Sequence, residues 1–355
     1  MSLESTPKIL IIRRDNIGDL VCTTPLVQVL RRRFPAAWLG ALVNSYNAPV
    51  LDGNPDLDEV FVYTKAKHRG AGESLPGIFW RRLAMMRRLR RMQLDDVIIA
   101  TTSPQPRVVK LAQWLKPGRI IGFGNVDGLD VALPLDDAGR HEVEDVFRVA
   151  GLYGIDGPPP ACRVFAPAAT CPRSGIPGTQ SEPAPALCVP SGTFTIGIHI
   201  SARKPSQRWP VERFAAAIKT LAAQGPTRFM LLWSPGAEDN PLHPGDDAKA
   251  RQVIAAVGAD AELVARPTET LAELIAALAE CDALICADGG AMHLAAGLGL
   301  PIACLFGNSG AARWRPWGVP YRLLQKPSFD VRDIPVDDVT AAFNALRADT
   351  PAPSA

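Results

Sequence analysis

The sequence alternates between short, β-branched apolar runs and segments with helical periodicity, and this alternation limits the fold more than any other feature. Runs such as KILIIRR (8–14), LDDVIIATT (94–102) and PIACLFG (301–307) predict buried strands. The segments between them, such as WPVERFAAAIKTLAAQG (209–225), carry apolar residues three and four positions apart and predict helices. Alternation of this kind predicts parallel sheets that are covered by helices on both faces.

A proline-rich stretch divides the alternation into two series. Nine prolines lie between residues 158 and 190, mixed with Gly, Ser and Ala, which is typical of a linker. A chain of 355 residues is also longer than one hydrophobic core usually serves. We therefore predict two doubly wound, Rossmann-like α/β domains over residues 1–157 and 193–348, joined by a linker over 158–192. The last helix is expected to pack back on the first domain.

Charge and cysteine content argue against several classes of protein. The net charge is only +2, so the chain as a whole has no strong attraction for nucleic acid. The seven cysteines form no CxxC pair, which favours buried thiols in a reducing compartment over disulfides or a zinc site. No run approaches the roughly 18 apolar residues of a membrane span, and MSLESTPKIL (1–10) contains no apolar stretch long enough for a signal peptide. We therefore expect a cytoplasmic protein.

A polar group interrupts the apolar sequence CDALICADGGAMHLAAGLGLPIACLFG (281–307). Asp288, Gly289 and Gly290 end a predicted strand and open a helix, and His293 follows in its first turn. The glycines would let the backbone turn tightly, and the N–H groups and dipole at a helix start favour an anion such as a diphosphate. The alternative is that Asp288 only caps the helix and His293 is an ordinary surface residue.

A second polar loop, GIHISARKPSQRWP (197–210), also lies between a predicted strand and a predicted helix. Its hydroxyl groups and cations, which could bind phosphates, belong to Ser201, Arg203, Lys204, Ser206, Gln207 and Arg208. Taken alone, the loop fits a solvated turn with Ser206 as the helix cap better than it fits a binding site.

The third polar loop follows the first strand, in RRDNIGDLVCTTP (13–25). Asp15 and Asp19 lie on either side of Gly18. Acids here would repel a pyrophosphate, but a carboxylate at this sheet edge could take a proton from an acceptor hydroxyl. On spacing alone, helix capping by Asp15, with Asp19 in the first turn, is favoured over catalysis.

Together the three loops resemble glycosyltransferase family 9, the ADP-heptose:lipopolysaccharide heptosyltransferases. RRDNIGDLVCTTPLVQVLRRRFP resembles that family's strand–GD–T-x-P–helix opening, and RWPVERFAAAI resembles its R-W-P-x-x-x-F segment. ADGGAMHLAAGLGLPIACLFGNSGAARWRPWG is similar to its D-[ST]-G-x-x-H-L-A-A…P…FG…W-x-P-W-G block. The three matches follow the family's order across most of the chain, which makes the resemblance specific.

The resemblance implies a GT-B fold, with the acceptor on the N-terminal domain and the nucleotide sugar on the C-terminal domain. It implies inverting transfer of a heptose or related sugar from an ADP-activated donor to a lipopolysaccharide core or similar glycan, with no cofactor and no metal. Asp19 would be the general base. The residues that would line the donor site are Ser201, Ala202, Arg203, Lys204, Gln207, Arg208, Glu238, Glu269, Asp288, Gly289, Gly290 and His293.

Two positions depart from the family pattern. Members often carry a lysine two residues before the tryptophan of W-P, where it contacts the donor phosphates, and this chain has Gln207 there. Arg203, Lys204 or Arg208 could supply the missing charge. DGG also stands in place of DSG or DTG, which removes one hydroxyl donor.

Basic residues are concentrated in residues 65–91, where nine of them accompany one acid. Lys65, Lys67 and Arg69 fall in a loop and are candidates for binding the acceptor. The predicted helix over 75–93 mixes arginines with aromatic residues and would suit an anionic membrane surface, so one expectation is peripheral association with the inner face of the cytoplasmic membrane. The other is an outer helix with one face on the sheet and one in water.

Parts of this pattern fit other functions. A catalytically degenerate GT-B protein could bind a nucleotide sugar or a glycan for regulation or scaffolding. Gln207 and DGG favour that alternative, whereas Asp19 and His293 argue against it. A nucleotide-sugar epimerase, or another GT-B enzyme, would act without an acceptor. A Rossmann dehydrogenase is disfavoured because neither series carries the G-x-G-x-x-G pattern.

Overall fold

Two parallel β-sheets, each with its own helices, form the described part of the chain. The computed structural model describes residues 6–63, 75–135, 138–166, 193–239 and 245–349. Within these ranges each sheet has six strands, and every neighbouring pair is parallel. The predicted α/β class with two doubly wound sheets is confirmed.

The first sheet is built from the N-terminal half of the chain. Its strands are β1 (Lys8–Ile12), β2 (Trp38–Asn44), β3 (Glu59–Tyr63), β4 (Asp96–Ile99), β5 (Arg119–Phe123) and β6 (Val131–Leu133). The accompanying helices are α1 (Ile17–Val21), α2 (Thr24–Arg33), α3 (Leu75–Arg91), α4 (Pro106–Leu115) and α5 (Glu142–Phe147). The strand order is β3-β2-β1-β4-β5-β6, so it reverses between β1 and β4. Ligands of such sheets bind beyond the carboxyl ends of the strands at this reversal.

The second sheet has the same winding. Its strands are β7 (Thr195–His199), β8 (Arg228–Trp233), β9 (Glu262–Pro267), β10 (Ala283–Ala287), β11 (Ile302–Phe306) and β12 (Tyr321–Gln325). The helices of the C-terminal half are α6 (Val211–Ala222), α7 (Asp247–Val257), α8 (Leu271–Ala279), α9 (Gly290–Gly297), α10 (Ala311–Trp314) and α11 (Val336–Asp349). The order is β12-β11-β10-β7-β8-β9, so it reverses between β7 and β10.

The strands that no apolar run indicates, β6, β9 and β12, all lie at sheet edges. An edge strand is covered less than an inner one and needs fewer apolar residues. In β9, for example, Glu262, Ala265 and Arg266 are exposed. The inner strands, by contrast, are almost wholly buried and were visible as continuous apolar runs.

The segment after β1 forms two short helices where the sequence pattern predicts one. α1 ends at Val21 and α2 begins at Thr24. Pro25 has no N–H for a helical hydrogen bond, and the Thr24 hydroxyl bonds back to the Val21 carbonyl at 2.8 Å. The break turns α1 into a separate element that carries Asp19.

By their contacts, the residues fall into two units. The first comprises Met1–Phe165, Asp288–Gly299 and Asn308–Val319, and the second comprises Ala166–Ala287, Leu300–Gly307 and Pro320–Ala355. α9 and α10 therefore belong to the first unit, although they follow β10 and β11 in the chain. Residues 167–192, most of the expected linker, lie outside the described residues, and the expected domain boundaries stay a prediction.

The last helix, α11, has its buried side chains in the core of the second unit. Val339, Phe343 and Leu346 pack there with residues of α6 and of the second sheet. The expectation that this helix also packs back on the N-terminal domain stays a prediction. Its apolar positions, three and four residues apart, form the stripe that a helix needs to cover a sheet.

Candidate active site

A buried arginine organises the polar residues at the carboxyl edge of the first sheet. Arg13 directly follows β1, and 1% of its side chain is exposed. Its guanidinium lies 2.6 Å from Asp19 Oδ1, 2.7 Å from Glu142 Oε1 and 3.1 Å from Asp15 Oδ2. Burial opposes the positive charge, but the carboxylates outweigh it and raise the pKa of Arg13 above its ordinary value.

Asp19 is held at both of its carboxylate oxygens. Oδ1 accepts from Arg13, and Oδ2 accepts from the side-chain amide of Asn16 at 3.0 Å and from its backbone N–H at 3.3 Å. Asn16 is the N-cap of α1, so the prediction that Asp15 caps this helix is wrong. Asp15 instead pairs with Arg13 and accepts a 2.8 Å hydrogen bond from Thr101. Asp19 is therefore fixed in orientation at the start of its own helix.

Asp19 lines a cavity of about 490 Å³, the Asp19 cavity. This volume falls within the range of small-molecule sites, roughly 300–1,000 Å³. The Asp19 side chain is 13% exposed, so its carboxylate can be reached from the cavity. Other residues of the cavity wall are Arg13, Arg14, Asp15, Asn16, Tyr46, Thr101, Thr102, Ser103, Glu142, Arg313 and Trp314.

No motif in the sequence marks Glu142 as functional, but Glu142 connects the two arginines of this site. The side chain is buried, pairs with Arg13 and Arg313, and accepts a 2.9 Å hydrogen bond from Thr102. A carboxylate is stable in such a place only with partners of this kind. The sequence offered one signal that Glu142 is buried. It lies four residues before Val146, on the apolar face of the predicted helix.

Helices α1 and α9 touch through two glycines. A Cβ atom at Gly18 would lie 2.5 Å from the His293 ring, and one at Gly290 would lie 3.3 Å from the side chain of Ile17. Real Cβ atoms do not approach that closely at the first position. The helix that carries Asp19 and the helix that carries His293 are therefore in direct contact within the first unit.

His293 is buried, so the alternative of an ordinary surface histidine is wrong. Its ring meets Trp314 edge-on with centroids 6.0 Å apart, and its Nδ1 lies 4.0 Å from Cys22 Sγ. Burial opposes the imidazolium, but Cys22 and the carboxylates of Asp288 and Asp19 outweigh it and raise the pKa of His293. A raised pKa favours a cationic ring here.

The glycines after Asp288 have a different role from the expected one. Gly289 has φ 163°, an extended conformation that any residue adopts, and a Cβ there would meet nothing within 4 Å. The prediction that Gly289 makes a tight turn is therefore wrong. Gly290 is needed for the close approach of Ile17. Asp288 is buried and precedes the N-cap of α9, so the alternative that Asp288 caps the helix also fails.

The candidates in the second unit follow adjacent strands of its sheet. The loop 201–208 follows β7, Glu238 follows β8 and Glu269 follows β9. Because parallel strands end at the same edge, these loops share one side of the sheet. Ser201 ties two of them together, since its Oγ accepts a 2.9 Å hydrogen bond from the Ser234 N–H. Glu269 is exposed, just before the N-cap of α8.

Arg208 is fixed in this loop, whereas the two cations before it are exposed. Its Nε donates to the Ala202 carbonyl at 3.0 Å, and its Nη1 donates to Glu238 at 2.6 Å. Arg203 and Lys204 extend into solvent. Of the three cations that the sequence indicated, Arg208 is therefore the one with a defined position.

Lys249, which no motif marks, is a further cation beside the end of β7. Its Nζ donates a 3.0 Å hydrogen bond to the Ile200 carbonyl. Burial lowers the pKa of Lys249 to about 8, against the opposing effect of the nearby Asp246 carboxylate. Gln207, at the position where the family often has lysine, is buried. The sequence did not distinguish Lys249 as a candidate site residue, because it is one of several polar residues in the amphipathic α7.

Other expectations concern metal ions, membranes and residues 64–74. Lys65, Lys67 and Arg69 lie outside the described residues. Within the described ranges, no three His, Cys, Asp or Glu side chains are grouped as a metal site would need. None of the helices in these ranges has the length and apolar content to span a membrane. Cys22, with four other described cysteines, is a buried free thiol.

Comparison with known proteins identifies the family to which the chain belongs. A family model described as glycosyltransferase family 9 (heptosyltransferase) matches residues 82–328. The chain belongs to glycosyltransferase family 9. The family resemblance is thereby confirmed, with the second and third motifs inside the matched residues, and this family 9 chain is a glycosyltransferase.

Relatives of this family 9 chain include lipopolysaccharide heptosyltransferase 3 of Escherichia coli, 23% identical over 349 residues, which cover 90% of this chain and 89% of the relative. A solved family 9 glycosyltransferase from Veillonella parvula is 19% identical, with a TM-score of 0.75 over 98% of this chain and 100% of the other. E. coli ADP-heptose lps heptosyltransferase II is 21% identical, with a TM-score of 0.73 over 96% and 98%. The predicted GT-B fold is confirmed.

Proposed function

We propose that this family 9 enzyme transfers a heptose, or a related sugar, from an ADP-activated donor to a lipopolysaccharide core or similar glycan. The observation that carries the proposal is Asp19, a carboxylate oriented at both oxygens and reachable from a cavity of about 490 Å³. The relatives support the choice of sugar. One is a lipopolysaccharide heptosyltransferase, and another, E. coli heptosyltransferase WaaC, was solved with ADP-2-deoxy-2-fluoro heptose at 18% identity, with a TM-score of 0.70 over 95% of this chain and 99% of the other.

In the proposed reaction, Asp19 takes the proton of the acceptor hydroxyl as that oxygen attacks the anomeric carbon of the donor. The new glycosidic bond forms while the bond from carbon to the diphosphate oxygen breaks, and ADP leaves with the electron pair, which inverts the configuration. Arg13 keeps its place when Asp19 becomes neutral, because Glu142 and Asp15 still balance the guanidinium. The base therefore holds one position through the step.

For the donor, we propose that Arg208 and Lys249 bind the diphosphate at the end of β7. Both have positions fixed by backbone carbonyls of that strand end, Ala202 and Ile200. Paired cations at fixed positions suit phosphate oxygens. Lys249 would supply the charge that Gln207 lacks. Donor contacts of Ser201, Glu238 and Glu269, and of the segment 288–293, stay predictions.

The decisive experiment replaces Asp19 by Asn, which keeps the shape and removes the basic carboxylate. We expect transfer from ADP-heptose to fall by about 10²–10⁴-fold, the usual contribution of a general base, while ADP binding is unchanged. Asp15→Asn is the matched control, because Asp15 also pairs with Arg13 and should lose less than tenfold. Retention of more than a tenth of the transfer by the Asp19 variant would remove Asp19 from the mechanism.

The nucleotide is tested by thermal shift against ADP, UDP, GDP and CMP. A ligand at about 100 times its dissociation constant adds roughly 2.7 kcal/mol of apparent stability. A shift with ADP alone supports an ADP-sugar donor. A shift with UDP or GDP instead would keep the fold and replace the donor, and no shift at all would favour a degenerate protein that binds a glycan.

We also propose that the outer face of α3 rests on an anionic lipid surface. Phe79 and Trp80 are 60% and 62% exposed, with their rings packed edge-on at 6.1 Å. Arg81, Arg87 and Arg91 are exposed on the same helix. Aromatic rings beside arginines suit the boundary between head groups and acyl chains. A glycolipid acceptor would be presented at such a surface.

Sedimentation with vesicles tests this surface. Binding to phosphatidylcholine vesicles that contain phosphatidylglycerol, and weaker binding in high salt, is the expected result. Phe79→Ser with Trp80→Ser should abolish it, whereas Phe329→Ser, at an exposed aromatic residue of the second unit, should leave it intact. Equal binding by both variants would refute the assignment.

A further inference from the structure

Asp246 is a buried acidic residue of the second unit that has no role in the proposed reaction. It is the N-cap of α7, yet its side chain makes no capping hydrogen bond. The residue is 3% exposed, and among the described residues its Oδ2 has no hydrogen-bond partner. A buried carboxylate oxygen without a partner is costly, and helix capping does not account for it here.

The backbone of Ser234 brings Asp246 next to Ser201. The Ser234 N–H donates to Ser201 Oγ at 2.9 Å, and the Ser234 carbonyl accepts from the Asp246 N–H at 2.9 Å. The Ser201 hydroxyl in turn donates to the Asp246 carboxylate. Burial raises the pKa of Asp246, and this hydrogen bond to the charged form opposes the rise. Asp246 therefore lies beside the loop 201–208, where the proposed function places the donor.

Lys249 lies on the same side of α7 as Asp246. The two residues are three positions apart, a spacing that places side chains on one face of a helix. Lys249 is partly buried in the first turn of α7, and both burial and the helix dipole disfavour a cation there. Its Nζ donates to the Ile200 carbonyl at 3.0 Å and lies 5.0 Å from the centre of the Phe214 ring. Neither contact supplies a full negative charge.

Four charged or titratable groups face Lys249, and one of them stabilises its ammonium form most. Burial lowers the pKa of Lys249 to about 8, and Asp246 opposes this effect more than any other group does. Arg208 lowers the pKa further, whereas Glu238, which is exposed and pairs with Arg208, raises it less than Asp246 does. Burial, with a contribution from Lys249, lowers the pKa of His199 to about 4, so this ring is neutral when Lys249 titrates.

We propose that Asp246 is a positioning residue for donor binding, because it keeps the Lys249 amine protonated beside the end of β7 without contacting the donor. Its depth of burial keeps it out of reach of a ligand. A carboxylate also repels a diphosphate, so Asp246 can favour donor binding only through Lys249. The inference rests on the proposed function of Lys249 and adds the residue that maintains its charge.

The first experiment follows the charge of Lys249 without any ligand. Asp246→Asn removes the negative charge and keeps the shape of the side chain. Titration of ¹³Cε-labelled lysines by NMR gives the midpoint of each amine, and the Lys249 signal is the one missing from Lys249→Met. The parent enzyme should show this midpoint at about 8. In Asp246→Asn it should fall by at least about half a pH unit, because losing a nearby opposite charge disfavours the ammonium form.

Asp247→Asn is the matched control. Asp247 is the next residue of α7 and carries the same charge, but its oxygens accept from Trp233 Nε1 at 2.7 Å and from the Gly236 N–H at 3.0 Å. Its variant should leave the Lys249 midpoint where the parent enzyme has it. Asp246→Glu, which restores the charge, should return the midpoint towards the parent value.

Calorimetry with ADP measures the consequence for binding. The parent enzyme and Asp246→Asn are each compared with the same protein carrying Lys249→Met, which cancels the titration of ADP itself. The affinity gained from Lys249 should disappear as the pH rises through its midpoint, and therefore at a lower pH in Asp246→Asn than in the parent enzyme.

Equal Lys249 midpoints in the parent enzyme and Asp246→Asn, or an equal fall in Asp247→Asn, would overturn the proposal. Failure of the proposed function has a different signature, namely a midpoint that falls in Asp246→Asn while ADP affinity is the same with and without Lys249. Urea unfolding checks that the variants are folded. Asp246→Ser, with an uncharged residue that is favoured at an N-cap, is the second neutral variant and should show the same fall.

Discussion

The polar clusters of the two units differ in how completely their charges are compensated. In the first unit, Arg13 and Glu142 are buried, and Arg13 has three carboxylates within 3.1 Å. In the second unit, Arg208 pairs with a glutamate, Glu238, that is 71% exposed, and Lys249 has a pKa lowered to about 8.

This difference matches two kinds of task. A closed network would keep the proposed base, Asp19, in one orientation while its charge changes, as proton transfer requires. An open cluster whose cations are weakly compensated leaves charge for an anionic ligand to satisfy. Substitutions in either cluster therefore test this difference, and the largest effect is expected in the closed network.

Glu142→Ala should break the closed network. Removing one partner of a buried ion pair costs about 3–5 kcal/mol, because the remaining charge stays buried. Here Arg13 and Arg313 both lose a partner. Urea unfolding followed by circular dichroism measures the change. Glu238→Ala in the open cluster is the control and should cost less than about 1 kcal/mol. Similar losses at the two positions would mean that the clusters do not differ.

Acidification should lower the free energy of unfolding through His141, the N-cap of α5. Its ring is buried, accepts from the Val143 N–H at 3.1 Å and donates to the Arg315 carbonyl at 2.8 Å. Burial lowers its pKa from 6.5 to about 4. The fold holds the neutral ring, so this stability is complete above pH 6.5 and is lost as the pH falls towards 4, by roughly 3 kcal/mol.

The measurement is urea unfolding across that pH interval, compared with His141→Asn. Asn can still cap α5 but does not titrate there. The variant should show a shallower fall in stability on acidification. Parallel curves for the two proteins would show that His141 does not contribute.

Gly18→Ala tests the contact between α1 and α9. A methyl group would lie 2.5 Å from the His293 ring, and overpacking of this kind costs roughly 1–3 kcal/mol. Transfer should also fall, because Asp19 is the next residue. Gly289→Ala is the control: its backbone is extended and its surroundings are open, so stability should change by less than about 0.5 kcal/mol.

Lys249→Met tests the open cluster of the second unit. We expect ADP to bind about tenfold more weakly, a loss of roughly 1.4 kcal/mol, with the closed network undisturbed. In the parent enzyme, ADP affinity should fall as the pH rises through about 8, where Lys249 loses its proton. Lys219→Met, at an exposed pair with Asp260, is the control in the calorimetric titration. A pH-independent affinity in the parent enzyme would exclude Lys249 from the site.

The sequence was sufficient to predict the inner strands and the placement of the three polar loops after β1, β7 and β10, because those signals are local. Continuous apolar runs are what a buried parallel strand requires. The edge strands β6, β9 and β12 were not predictable in this way, since exposure allows polar residues there.

The partners of the loop residues could not be read from the sequence, because they come from distant segments. Glu142 meets Arg13 from 129 residues away, and Arg313 meets Glu142 from 171 residues away. Lys249 reaches the end of β7 only through the packing of α7. The mistaken expectation at Gly289 has a related cause: glycine permits a turn but does not show that one is present.

The discontinuity of the first unit also sets the order in which this enzyme can mature during synthesis. Cys22 on the nascent chain waits for His293, 271 residues later. At about 5–20 residues per second, that wait is roughly 15–50 seconds. Over this interval the apolar side of α1 has no α9 to cover it, and Arg313 has not yet reached Glu142. Chaperones would meet a complete N-terminal sheet whose Asp19 cavity still lacks Arg313 and Trp314, and this cavity would be complete only once the chain has been made past residue 319.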